Sequence, residues 1–114
     1  MTAPSVADTL REYLSLLDLL DDAYWEAGSI RHKDMLYDII SIFNQEVAEL
    51  NKLSILDHHY PYEVITEGIR RVMPKLQRLE QEHEEAVQRT TTLTDLKEVQ
   101  SSVFAILEAQ LGDC

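Results

Sequence analysis

One cysteine, three glycines and three prolines are all that this 114-residue chain holds of the residues that cross-link, loosen or break a polypeptide. The lone cysteine, Cys114, cannot form an intrachain disulfide, so nothing in the sequence points to an oxidising compartment. With so few glycines and prolines there is little material for the turns of a sheet protein, and helices become the simplest arrangement. Basic residues are also scarce: ten Lys and Arg stand against 21 Asp and Glu, a formal net charge of −11. A field of that sign repels phosphate backbones and anionic lipid, which argues against nucleic acid and membrane surfaces and in favour of a partner with a basic surface. No apolar run approaches the roughly 18 residues that a membrane span needs. The start, Met1-Thr2-Ala3-Pro4-Ser5, lacks the basic opening and apolar core of a secretory signal. The expected location is the cytoplasm.

What the chain does have is hydrophobic residues, 45% of the total, recurring at steps of three and four from Val6 to Leu111. That is the period of amphipathic helices. It predicts a single helical domain over 1–114 with helices at about 5–27, 30–53, 61–89 and 92–111. Ser5 and Asp8 form a capping box for the first helix, and Gly28 suits its end. The apolar face of that helix reads Val6, Leu10, Tyr13, Leu14, Leu17, Leu20 and Tyr24, with Leu16, Leu19 and Trp25 outside it. Ser29 can cap the second helix, whose face is Met35, Leu36, Ile39, Ile40, Phe43, Val47 and Leu50. Gly28-Ser29 is short enough to force an antiparallel hairpin.

Asp57-His58-His59-Tyr60-Pro61 is the clearest interruption. Pro61 suits the first turn of a third helix, and Tyr60 and Tyr62 read as a plug for the bundle end. Pro74 falls inside that third helix, where it deletes the bond to the Arg70 carbonyl, so a kink or break is expected near Pro74. Thr92 and Asp95 read as a second capping box for the last helix. Four such helices predict an all-α, antiparallel up-down-up-down four-helix bundle, with Leu17, Ile40, Leu76 and Ile106 deep in its core. Leu16, Leu19 and Ile42 exceed one stripe per helix, which suggests a homodimer.

Motifs for chemistry are sparse. Glu80 and His83 form one Glu-x-x-His pair where a di-iron bundle needs two. His58, His59 and Glu63 are the other metal candidates, separated by Pro61. Solvated polar surface accounts for both groups. A histidine phosphotransfer domain would be an acidic bundle too, but neither His32 nor His83 is followed by the glycine that gives a partner access. No Gly-x-Ser-x-Gly turn or phosphate-cradling loop occurs, so neither catalytic residues nor a cofactor are assigned.

Two charge patterns stand out. Asp18, Asp21, Asp22 and Glu26, beside Tyr24 and Trp25, crowd the end of the first helix, where negative charge opposes the helix dipole. Arg31 and Lys33 could compensate across the turn; alternatively, the acids await a basic partner. Arg71, Lys75 and Arg78 follow helical spacing near Pro74 and suit either adjoining carboxylates or an anionic group. The general look is similar to that of secretion chaperones, anti-regulators and dimeric adaptors, a likeness of class that transfers no residue. The reading is a non-catalytic protein-protein interaction module, with a His/Glu metal-binding bundle as the alternative and a phosphotransfer-like domain third.

Overall fold

Ser5 starts the first helix as expected, its Oγ accepting from the Asp8 N–H at 3.1 Å. The computed structural model describes residues 5–57, 61–82 and 90–111, and within these the side chains outside 54–57 and 90–91. The helices are α1 (Val6–Glu26), α2 (Ile30–Asp57), α3 (Glu67–Arg70), α4 (Met73–Gln81) and α5 (Thr90–Leu111). Among the described residues there is no strand, only an isolated antiparallel bridge between Ser5 and Pro61. The fold is all-α.

The buried face of α1 differs from the leucine-weighted expectation. Val6, Thr9, Tyr13, Leu16, Leu20 and Ala23 are buried, and Ala27 continues the line. These positions alternate steps of three and four without exception, the spacing of a coiled-coil seam. Leu16 therefore belongs to the core, while Leu14 is 45% exposed and Leu10, Leu17 and Tyr24 are only partly buried. On α2 the same alternation runs His32, Leu36, Ile39, Phe43, Glu46 and Leu50. Ile40 drops to the flank for the same reason as Leu17: each sits one position beside the seam. Leu76 and Ile106 are buried as expected.

Ala27 leaves α1 in an extended conformation with its N–H on the Tyr24 carbonyl, so the helix closes one residue before Gly28. Ser29 caps α2 by accepting from the His32 N–H at 3.2 Å. The chain then reverses: Lys33 meets Tyr24 and Phe43 meets Tyr13, so α1 and α2 are antiparallel. Running on to Asp57, α2 passes its expected end near Leu53. α5 also runs against α1, with Thr92 bonded to Glu26 at one end and Ser102, Ala105 and Ile106 beside Asp8, Arg11 and Glu12 at the other. It begins at Thr90, ahead of Thr92. Thr92 is buried inside the helix and ties it to α1, where a capping role had been expected.

The third helix, expected over 61–89 with a kink or break near Pro74, starts later than expected in the described part of that range. Residues 61–66 are not helical, and α3 and α4 are separated by Arg71 and Val72. There the Arg71 and Val72 amides bond three residues back, to Gly68 and Ile69, in the tight pattern of a closing turn. Pro74 stands in the first turn of α4, where a missing N–H removes no helix bond. Ile69, Val72, Leu76 and Leu79 nonetheless keep the three-four alternation across the break and are fully buried. Residues 83–89, which complete the expected third helix, lie outside the described residues. The buried Gln100 side chain joins α5 to α4 by donating to the Leu76 carbonyl at 2.8 Å.

Leu16 and Leu17 provide a test of the seam. Leu16→Ala is expected to cost about 2–5 kcal/mol, the range for emptying a fully buried leucine site, and Leu17→Ala clearly less. Urea denaturation of the two variants checks the order; equal losses would contradict the assigned face.

Candidate functional site

Glu46 is a buried carboxyl group, on the α2 seam with no exposed surface. Its Oε2 accepts from the Tyr62 hydroxyl at 2.7 Å and the Ile65 N–H at 2.9 Å. Its Oε1 accepts from the Thr66 N–H at 2.8 Å and the Thr66 hydroxyl at 2.9 Å. The Tyr13 hydroxyl donates to Tyr62 at 3.0 Å, and the Tyr13 ring meets those of Phe43 and Tyr62 edge-on. A buried carboxylate is tolerable when its lone pairs are filled in this way. Burial pushes both tyrosine hydroxyls well above the usual phenol range, and the neighbouring carboxylate adds to this. The network therefore stays protonated at the tyrosines and holds residues 62–66 against α2. Tyr62 does plug the core; Tyr60 is outside the described residues.

A second cluster closes the start of α2 onto the end of α4. His32 is buried, with Nδ1 2.9 Å from the Ser29 hydroxyl and Nε2 3.2 Å from Glu82 Oε1. Arg31 binds the same Glu82 oxygen and lies 3.1 Å from His32 Nε2. A proton on Nε2 satisfies Glu82 and leaves Nδ1 to accept from Ser29. Hydroxyl, imidazole and carboxylate stand in the order of a hydrolytic triad, but the serine oxygen already accepts a helix amide and the ring is covered. Both ring nitrogens are engaged, so His32 as placed offers neither to a phosphoryl donor. The Arg31 hydrogen bond holds the Glu82 carboxyl below the usual carboxylate range; partial desolvation opposes this, and His32 reinforces it.

The third feature is the surface of the hairpin tip. Trp25 is 73% exposed, Ile30 78% and Tyr37 62%. Ile30, Lys33 and Tyr37 are spaced to share one side of α2, and Asp18, Asp21 and Asp22 lie seven, four and three residues before Trp25, spacings that put them on its side of α1. The expected compensation across the turn takes a different form. Lys33 Nζ donates to the Tyr24 carbonyl at 2.7 Å, Arg31 goes to Glu82, and Glu26 accepts from Thr92 at 3.1 Å. Asp18, Asp21 and Asp22 form no ion pair among the described residues. Of the candidate partner residues, Asp18, Asp21, Asp22, Tyr24 and Trp25 come together here, while Glu26 is drawn into the α1–α5 contact.

The basic stripe divides. Lys75 pairs with Asp38 at 2.7 Å, and Arg71 lies 3.9 Å from Glu67. Lys75 and Arg78 line a groove of about 430 Å³ between α2 and α4, with Arg31, Asp34, Met35, Asp38 and Pro74 on its other walls. Its charges are mixed, so it does not form the cationic stripe that the spacing suggested. Glu63 and Glu80 are exposed and line different hollows, one beside Pro61 and Arg70 and the other beside Ser101 and Phe104. His58, His59 and His83 lie outside the described residues, among which no group of three metal-ligating side chains occurs. No described helix is long and apolar enough to cross a membrane. No protein-family model, curated protein or solved structure matches this chain.

Sequence reasoning missed Glu46, Ile30 and Tyr37, although each carried a signal. Glu46 is in step with Ile39, Phe43 and Leu50, a carboxylate at an apolar position. Ile30 and Tyr37 are seven apart and off the buried stripe. Leu16, one basis for expecting a dimer, is core, and Leu19 and Ile42 are partly covered, the latter beside Gly68.

Removing the anchoring carboxylate should be costly. Glu46→Ala strands four donors and is expected to destabilise by more than about 3 kcal/mol, whereas Tyr62→Phe should cost about 1–3 kcal/mol. Chemical denaturation measures both, and a loss for Glu46→Ala no larger than that for Tyr62→Phe would contradict the anchor. For Glu82 the folded carboxyl is the more acidic, so its contribution is complete above the ordinary carboxylate pKa and fades as pH falls through the lower folded value. Wild type should accordingly exceed Glu82→Gln in stability at pH 7 and converge with it in acid. A gap unchanged down to pH 2 would contradict this.

Proposed function

We propose that this protein is a non-catalytic protein-protein interaction module, a small acidic adaptor, chaperone or regulator, whose binding face is the tip of the α1–α2 hairpin. The observation that carries the reading is the exposure of Trp25, Ile30 and Tyr37 beside Asp18, Asp21 and Asp22. Tryptophan and tyrosine supply large contact area at small entropic cost, which is why they recur as interface anchors. The acids around them favour a cationic partner and disfavour nucleic acid or an anionic membrane. A second copy of the chain would bring another net −11 to the same place, so a basic chain is the better occupant. We read the scaffold as an up-down-up-down four-helix bundle, its third arm broken ahead of Pro74, working in the cytoplasm. The opposed directions of α1 with α2 and with α5 support that topology, as does the seating of α4 on α2 and α5.

Trp25 is the only tryptophan, so its fluorescence reports on this surface directly. A synthetic basic amphipathic helix is expected to give a saturable blue shift that weakens as salt rises. An acidic peptide of the same apolar face should give none. Tyr37→Ala and Ile30→Ala should each weaken binding by about tenfold, roughly the loss of a moderate interface anchor, with an unchanged circular dichroism spectrum. Absence of a saturable change with basic peptides, or equal binding by both variants, would overturn the proposal.

A further inference from the structure

We infer that the Tyr24–Trp25 pair, at the C-terminal end of α1, is a receptor for a lysine or arginine side chain of the partner, and that Lys33 is its resident stand-in. The inference rests on reading the hairpin tip as the partner surface, and it names the chemical group recognised there.

The two rings meet edge to face, with centroids 5.3 Å apart and planes at 89°. Lys33 Nζ lies 4.6 Å from the Tyr24 centroid and 5.7 Å from that of Trp25, within the range of cation-π attraction for both. The ammonium also donates to the Tyr24 carbonyl, one of the last acceptors of α1, at the negative end of the helix dipole. Aromatic faces, a helix-end carbonyl that accepts from the Ala27 N–H and still has room for a second donor, and a negative dipole end together make a cation site, and a cation already occupies it. The carboxylates of Asp18, Asp21 and Asp22, which form no ion pair among the described residues, raise the local concentration of positive charge. They do not hold Lys33: its partners are the rings and the carbonyl.

Occupancy is incomplete. Lys33 sits nearer to Tyr24, and the Trp25 ring remains 73% exposed despite its large apolar area. A purely structural clasp would leave no reason for that ring to face water. A primary ammonium or guanidinium entering from outside reproduces both contacts of Lys33, and its aliphatic stem covers Trp25. Lys33 then turns outward into solvent. Because Lys33 is tethered, it competes at a high effective concentration, and free cations bind weakly until it is removed.

The test titrates N-acetyl-lysine methylamide and N-acetyl-arginine methylamide against Trp25 fluorescence at constant ionic strength. The uncharged N-acetyl-norleucine methylamide is the control. Wild type should show weak saturable binding of the two cations only. Lys33→Met, which keeps the aliphatic stem, should bind them about tenfold more tightly, in line with the strength of a partly desolvated cation-π contact, and Lys33→Met/Tyr24→Leu should lose that gain. A measurement on the wild type stands apart from how well these variants fold. The Lys33 side-chain protons, shifted by the rings in the free protein, should move to ordinary positions when the basic amphipathic peptide saturates the tip. Equal affinity in wild type and Lys33→Met, equal response to the uncharged control, or Lys33 protons still ring-shifted in the peptide complex would overturn the inference. Peptide binding with Lys33 unmoved would retain the partner surface and reject the stand-in. Cation binding without peptide binding would do the reverse.

Discussion

A carboxylate that forms no ion pair among the described residues, sunk in the seam of α2, governs the course of the segment that follows Pro61. Glu46 has four acceptor positions, and all four are filled from one short segment, Tyr62 to Thr66. That segment cannot also be a helix. The Ile65 and Thr66 amides that a helix starting at Pro61 would turn to its own carbonyls are committed to Glu46, so helical bonding begins only after Thr66 caps α3. Leaving such a charge unpaired in the core would cost several kcal/mol, far more than a delayed helix start. The same carboxylate orients Tyr62, through it Tyr13, and hence the aromatic centre against Phe43. One buried carboxylate thus links the late helix start after Pro61 to the packing of α1 and α2.

The rest of the architecture follows from a spacing rule. Buried positions on α1, on α2 and across the α3–α4 break all alternate three and four, so the seams of neighbouring elements stay in register although the third is interrupted. A break is tolerable because Ile69 and Val72 remain in phase with Leu76 and Leu79. Two tight amide bonds at Arg71 and Val72 restore the satisfaction of the backbone that the interruption removes.

How legible this was depended on which residues filled the seam. Where it is filled by Leu36, Ile39, Phe43 and Leu50, or by Leu76 and Leu79, hydropathy alone locates it. On α1 the seam includes Thr9, Ala23 and Ala27, which carry little hydropathy, while Leu14 and Leu17 lie beside it and draw the eye. The rotation of that face, and with it the status of Leu16, followed from weighing side-chain size above strict periodicity. The late start of α3 depends on a contact between residues 46 and 66, which no local pattern contains. At the candidate surface, the acids and Tyr24-Trp25 were visible as a cluster. Ile30 and Tyr37 join it only once α2 is known to turn their side outward.

The hairpin tip is where local preference and charge disagree most. Helix ends favour cations at their C-terminus, yet the second half of α1 carries three aspartates with no ion pair among the described residues, and its last turn has no basic residue. Lys33, reaching back from α2, meets part of that need through a carbonyl rather than through the acids. It leaves their charge undiminished at the edge of an exposed tryptophan. Stability alone would be better served by lysines in the last turn of α1 and a smaller residue at position 25. Both departures raise the cost of the free state in the same way: one maintains negative potential, the other keeps a large apolar ring in water. A cationic, partly apolar ligand relieves both at once, because its charge answers the aspartates while its stem covers the ring.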